Sequence, residues 1–460
     1  VNRIDVLPDD VLLEIFDFYV DMSPPFARKR DIEEWQTLVH VCRRWRSLVF
    51  QSPRRLNLRL YCTPNTPAKD TLDTWPALPL IVKGSTGFLP CDNVIAALGQ
   101  SDRVCKVDLM DLAKWQLDDV LATMQVPFPE LTDLRLMSHA YDKTLPTIPD
   151  SDSFLGGSAP RLRILSVSGI RFPGLPKLLL STTHLAQLWL SHPGYVYISP
   201  ESVIAVISSL SSLGTLSLEF DSSQSSRPVS QSPSLPPLER SVLPALKRLY
   251  FTGVAEYLQD LVTRIDAPQL NEMGVIFFNH INFDCTRLAQ FIDRTPTLRE
   301  HDEERVQFHD TTAGVKLRSR TSQSGLKSLE IAIACGGPDL QLSFIEQFCN
   351  NSLPPLSTVE DLYIEHKYWE KVWKSEDTLW LQLLLPFTTV KNLYVSKQFA
   401  AGIAATLREL VGGGITVVLP SLQSIFVEGL EESGPVPENI AQFVAARQLS
   451  GHPVAISVWR

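Results

Sequence analysis

Apolar residues along this chain fall into two periods. At the N-terminus the period is helical. Leu7-Pro8-Asp9-Asp10 opens a run in which Val11, Leu12, Ile15, Phe16 and Tyr19 recur at three- and four-residue spacing, the stripe of an amphipathic helix. Pro8 suits a first helical position, where its missing N–H would find no partner anyway. Asp9 and Asp10 then complement the positive end of the helix dipole. A break follows at Met22-Ser23-Pro24-Pro25. A second helix is predicted from about Asp31 to Val49. It carries Trp35, Leu38, Val39, Cys42, Trp45, Leu48 and Val49 on one face and Arg43, Arg44 and Arg46 on the other, and Ser52-Pro53 ends it. Two helices this short bury little core and need a partner surface, either the following domain or another protein.

Beyond Pro53 a unit of the form L-x-x-L-x-L returns, often just after proline. It is carried by Leu131-Leu134-Leu136, Leu162-Leu165-Val167, Leu185-Leu188-Leu190, Leu213-Leu216-Leu218, Leu246-Leu249-Phe251 and Leu270-Met273-Val275. The C-terminal third adds Leu326-Leu329-Ile331, Val359-Leu362-Ile364, Val390-Leu393-Val395 and Leu422-Ile425-Val427, and Val104-Val107-Leu109 is an earlier member. Most units start 23 to 33 residues apart. The gap from Leu270 to Leu326 is 56 residues with Leu298 at its midpoint, which predicts a degraded repeat there. Each unit reads as a short strand with alternate side chains in a shared core. Segments between units supply helical stripes, as at Val203, Val206, Ile207 and Leu210. Strand plus helix, stacked in parallel, makes a solenoid. The position that often holds Asn in such repeats is filled by His139, Ile170, Pro193, Asp221, Val254 and Phe278, so irregular repeats are expected. Residues between the core leucines would face the concave side. One row runs Arg135, Ser166, Trp189, Ser217, Tyr250, Gly274, Glu330, Tyr363, Tyr394, Phe426; a neighbouring row holds Asp133, Gln187, Arg248, Asp361 and Asn392. The aromatic members Trp189, Tyr250, Tyr363, Tyr394 and Phe426 are candidate partner-binding residues. The alternative is that aromatics simply suit strands or lie under a loop.

Composition narrows the function classes. The chain has 460 residues, 44 % apolar and 20 % charged, with net charge −9. Nucleic-acid binding leans on clustered Lys and Arg and is not expected, nor is an anionic membrane surface. The longest apolar stretch, around Leu379 to Phe387, is far short of a membrane span. The 7 cysteines form no C-x-x-C pattern, so neither a disulfide framework nor a zinc site is signalled. No signal peptide opens the chain. Its first residue is Val1 rather than Met, which leaves room for preceding sequence.

Phosphate-loop, dinucleotide, zinc-protease and nucleophile-elbow motifs are absent. Gly412-Gly413-Gly414 reads as a helix-ending turn. His301-Asp302-Glu303-Glu304 has no second histidine at ligand spacing and reads as a solvated face. No cofactor or metal is expected. Asp221 to Leu243 is rich in Ser, Pro and Gln and is expected to be a mobile surface loop, with Ser232-Pro233 a candidate phosphorylation site. Pro437 to Leu449 and Pro453 to Trp459 read as a capping helix and strand.

The run Leu7-Pro8, Glu14-Ile15-Phe16 and Val41-Cys42-Arg43-Arg44-Trp45-Arg46-Ser47-Leu48-Val49, closing at Ser52-Pro53, resembles the F-box. The resemblance implies a small helical bundle that docks on the Skp adaptor of Skp–cullin–F-box ubiquitin ligases. It places Leu7, Pro8, Ile15, Val41 and Cys42 at or near the adaptor contact, with Trp45 holding the helices together. Residues from about Asp21 to Arg30 lengthen the inter-helix link relative to a compact F-box. Asn351 to Ile364, Pro386 to Val395 and Phe443 to Pro453 are similar to F-box proteins abundant in mushroom-forming (basidiomycete) fungi. The expected fold class is α/β: an F-box over 1–55, an irregular leucine-rich-repeat-like solenoid over 56–435 with a parallel strand row on its concave face, and a cap over 436–460. The resemblance implies a non-enzymatic, cytoplasmic or nuclear subunit that recruits a target protein, bound through the Skp adaptor to a cullin. An interaction scaffold without ligase association, or an enzyme with a concave-face site, are the alternatives.

Overall fold

The structure is a computed structural model that describes residues 7–21, 34–65, 67–85, 90–138, 147–148, 152–171, 177–191, 198–220, 239–278, 286–299, 303–309, 311–319, 327–335, 338–351, 359–366, 377–409, 418–429 and 438–459. The Pro24-Pro25 link, Ser232-Pro233, His301-Asp302 and Gly412-Gly413-Gly414 lie outside them. The chain forms two compact units, Val1–Val196 and Tyr197–Arg460.

The first unit opens with helices α1 (Asp9–Asp21), α2 (Glu34–Val39) and α3 (Arg43–Gln51). Leu12, Phe16, Trp35, Leu38, Val39, Leu48 and Val49 are buried. Phe16 meets Trp45 at 4.7 Å between ring centroids. The single helix predicted from Asp31 to Val49 is in fact two. Cys42 takes an extended backbone and caps α3, its Sγ accepting from the Trp45 N–H at 3.5 Å. Three-residue turn bonds, His40 N–H to Thr37 and Val41 N–H to Leu38, close α2. Trp35 donates Nε1–H to the Arg59 carbonyl (3.1 Å) and packs edge-on to Trp75 at 5.2 Å, which fastens the helices to the chain that follows.

Six parallel strands follow in chain order: β1 (Leu60–Cys62), β2 (Leu80–Ser85), β3 (Val104–Leu112), β4 (Asp133–Ser138), β5 (Ile164–Ser168) and β6 (Gln187–Ser191). Short helices α4 (Ala68–Thr74), α5 (Asp92–Leu98) and α6 (Lys114–Thr123) make the early crossovers. The second and third apolar positions of each repeat face the core: Leu134 and Leu136, Leu165 and Val167, Leu188 and Leu190 are buried. Each such side chain contributes about 1.5–3 kcal/mol.

The second unit contains β7 (Thr215–Glu219), β8 (Ser241–Val242), β9 (Arg248–Gly253), β10 (Ile265–Asp266), β11 (Glu272–Phe278), β12 (Glu303–Phe308), β13 (Thr312–Ser319), β14 (Lys327–Ala334), β15 (Asp361–His366), β16 (Asn392–Val395), β17 (Ser424–Glu428) and β18 (Ala455–Trp459). Its helices are α7 (Pro200–Ile207), α8 (Ala255–Val262), α9 (Thr286–Arg294), α10 (Pro338–Asn351), α11 (Asp377–Leu384), α12 (Ala400–Glu409) and α13 (Glu438–Leu449). The sheet order is β7-β9-β11-β14-β13-β12-β15-β16-β17-β18, and β8 pairs with β10 separately. Every neighbouring pair is parallel except the two that β13 makes, which are antiparallel.

The long repeat gap is resolved by this exception. Leu298 is buried in a short turn, and a strand does follow it. That strand, β12, lies beside β15, and the chain then runs back through β13 to set β14 beside β11. A meander replaces one plain repeat and inverts the local strand order. Its core positions are Glu304, Val306 and Phe308 on β12 and Ala313, Val315 and Leu317 on β13.

Where an asparagine ladder would serve the turn carbonyls, other side chains do so. Arg103 donates to the Leu78 carbonyl, Thr132 to Cys105 (3.0 Å) and Thr389 to Val359 (2.9 Å). Arg294 bonds the carbonyls of Val262 and Ile265, and buried Arg447 bonds those of Leu419, Pro420 and Leu422. Unpaired buried carbonyls are costly, so each repeat solves the problem locally.

Candidate functional sites on the helical region and the strand face

Two surfaces stand out. The first is on α1. Its apolar stripe divides: Leu12 and Phe16 point into the core, while Val11 (41 % exposed), Ile15 (46 %), Phe18 (67 %) and Tyr19 (42 %) face out. Positions 11, 15, 18 and 19 share one helical face. Val41 is 56 % exposed in the turn before α3. Among the residues singled out for adaptor contact, Pro8, Ile15 and Val41 are exposed, and Leu7 and Cys42 are half-buried. Cys42 has the local role of capping α3, and the Leu7 carbonyl accepts from Arg44 at 2.6 Å. Two arginines of the predicted cationic face, Arg44 and Arg46, are engaged. Arg44 pairs with Asp9 (2.6 Å), and Arg46 donates to the Val39 carbonyl (3.0 Å). They hold the helices together and leave α1 its apolar outer face. Phe18 escaped the sequence reading because it falls off the stripe that seemed to define the buried side.

The second surface is on the sheet of the second unit. Register is continuous from Ser217 through Tyr250, Gly274, Glu330, Lys316, Arg305, Tyr363, Tyr394 and Phe426 to Ser457. Side chains alternate along a strand, and the intervening Leu249, Val275, Leu362, Leu393 and Ile425 are buried. The row therefore lies on the opposite face. Tyr363 and Tyr394 stack at 4.1 Å and 7° between planes, and Tyr394 and Phe426 at 4.4 Å and 9°. Trp459 stands edge-on to Tyr363 and Tyr394 at 6.0 and 5.9 Å. The guanidinium of Arg305 covers Tyr363 at 4.2 Å. It donates to Glu303 (2.6 Å) and Glu365 (2.5 Å), and Gln307 supports Glu365 at 3.0 Å. Burial pulls the Arg305 pKa down, but the bond to Glu303 and the charges of Glu365 and Glu303 outweigh it, so the value sits above the ordinary one.

Tyr250 lies elsewhere in the row. Five strand spacings of ~4.8 Å put it about 24 Å from Tyr363. Its ring crosses Gly274, where an added Cβ would come within 2.9 Å of Cδ1. Burial, then the hydrogen bond and charge of Glu272, push its hydroxyl up to about 12. Trp189 belongs to the first unit, in register with Ser166 and Arg135. Within the second unit the sequence row thus contains one cluster, Tyr363-Tyr394-Phe426, with Tyr250 apart from it. Arg305 and Lys316 were not anticipated beside the cluster, because the meander that inserts them has no L-x-x-L-x-L signal.

Among the described residues no group of three or more His, Cys, Asp or Glu is placed to hold a metal, and no helix is long and apolar enough to cross a membrane.

With this geometry in hand, comparisons with known proteins are informative for the helices. No curated protein matches the chain. Among solved structures it is similar to the leucine-rich repeat-containing protein LegL7 from Legionella pneumophila, with 11 % identity, a TM-score of 0.25, and coverage of 86 % of this chain and 98 % of that one. A family model described as F-box-like matches residues 4–59. Residues 4–59 are an F-box-like domain.

Proposed function

We propose that this chain is a substrate-recruiting subunit of a Skp–cullin–F-box ubiquitin ligase, of the kind found in mushroom-forming fungi. The F-box-like domain, taken as residues 1–55, docks on the Skp adaptor through Leu7, Pro8, Ile15, Val41 and Cys42, and through the adaptor on a cullin. The repeats over 56–435, capped by 436–460, present a target protein on the strand face, with Trp189, Tyr250, Tyr363, Tyr394 and Phe426 as contact residues. The chain itself carries out no chemistry; a ubiquitin-conjugating enzyme does so. Its setting is the cytoplasm or nucleus.

One observation carries the reading. The F-box-like segment leaves Val11, Ile15, Phe18 and Tyr19 exposed along one face of α1 although its buried face is well filled. Contiguous apolar surface of this kind marks a docking site. The test is co-purification of the full chain with the Skp adaptor. Ile15→Asp combined with Phe18→Asp should abolish adaptor capture without unfolding the chain. Capture that survives this pair, or a wild-type chain that folds but binds no adaptor, would refute the ligase reading and leave an interaction scaffold.

A further inference from the structure

The aromatic stack of the second unit has two unlike ends. At the β12 end Arg305 covers Tyr363, held there by Glu303 and Glu365. At the β18 end, one face of Phe426 lies on Tyr394. Its other face turns toward β18, where the register partner is Ser457, exposed and too short to cover a ring. The next outward position on β17 is Glu428, exposed, whose Oε2 accepts the Lys397 backbone N–H at 3.2 Å. An aromatic face beside a carboxylate repeats the surroundings that Arg305 occupies at the far end. On β15 to β18 the outward ionised side chains, Asp361, Glu365 and Glu428, are all carboxylates.

We infer that the face of Phe426 turned toward β18, with Glu428 beside it and Ser457 opposite, is a subsite for an arginine side chain of a basic segment in a partner protein. The inference rests on the proposed target-binding role of this face and gives it a chemistry. A planar guanidinium stacks on a ring while offering paired N–H donors to a carboxylate; a lysine ammonium cannot do both in one geometry. Charge complementarity favours a basic segment over an acidic or phosphorylated one.

The experiment uses the full chain and a fluorescein-labelled peptide of repeated Gly-Ser-Arg, read by anisotropy. Arginine should bind, and replacing it by isosteric, uncharged citrulline should weaken binding by about tenfold or more. Ser457→Arg sets a guanidinium over Phe426 in cis and should abolish peptide binding, while Ser457→Ala leaves it intact. The change lies on an exposed strand position, so folding is not at stake. Glu428→Gln should weaken binding severalfold. Equal affinity for the citrulline peptide, or unchanged binding by Ser457→Arg, overturns the inference. The wider reading is judged separately, by target capture with Tyr363, Tyr394 and Phe426 all changed to alanine. Loss of capture without arginine discrimination retains the face and rejects the arginine; unchanged capture rejects the face.

Discussion

Phe18 on α1 and Phe426 on β17 both point outward, yet they sit in opposite surroundings. Phe18 lies among Val11, Ile15 and Tyr19, all exposed, and Glu14, one turn away on the same helix, is paired with Arg55. Phe426 ends a stack whose other members are shielded by rings and by a guanidinium locked between carboxylates. The helical surface offers desolvation and little direction. The strand surface offers ring faces at fixed spacing and a biased field. The first kind of surface suits a constant partner whose complement is fixed. The second suits selection among partners, because charge complementarity discriminates more than it binds.

The comparison can be broken most sharply at Phe16 and Phe18, two residues apart on one helix. Phe16→Ala empties a fully buried site and should destabilise the first unit by about 3–5 kcal/mol. Phe18→Ala should change stability by less than ~0.5 kcal/mol while weakening adaptor capture. Denaturant unfolding and pull-down separate the two, and similar stability losses would mean that α1 does not present the face described.

A smaller effect is expected in the core beneath the strand face. Glu304 occupies an inward position between Leu317 and Leu362, is fully buried, and neither carboxyl oxygen has a hydrogen-bond partner. Burial raises its pKa well above the ordinary 4.5. The unfolded chain therefore releases this proton near the ordinary value while the native chain retains it. Stability contributed by the group is present below that value and declines as pH rises toward the native pKa. Glu304→Met should stabilise the second unit by roughly 1–3 kcal/mol near neutrality and flatten the decline. A melting series across pH checks the sign; a variant less stable than wild type at pH 7 would contradict it.

The smallest effect sharpens the stack itself. A double-mutant cycle on Tyr363 and Tyr394 should return a coupling of about 0.5–1.5 kcal/mol, and the same cycle on Tyr250 and Tyr394 should return none. Coupling in the second pair would mean that the row acts as one unit despite its gaps.

Much of this architecture was legible in the pattern of leucines. Every L-x-x-L-x-L unit whose residues are described supplies a strand with its second and third apolar positions buried. The reason is local: a period of two with large apolar residues leaves a strand no other way to bury them. The break between α2 and α3 was hidden because cysteine is not a usual capping residue, and the stripe continues across it. The meander was hidden because its core positions include a glutamate and an alanine. A carboxyl group at a core position cannot be told by pattern from one in solvent.

The chain alone therefore determined the helical opening, the strands and the row of residues opposite the core, since side-chain alternation follows from covalent geometry. Tertiary structure decided which residues in that row meet. Tyr363, Tyr394 and Phe426 stack because β15, β16 and β17 are consecutive neighbours in the sheet. Tyr250 stays apart because the inverted meander separates it from them, and Arg305 reaches Tyr363 only because β12 pairs with β15. Such contacts depend on strand order. Strand order is set by the summed burial of whole segments, which no short run of sequence displays.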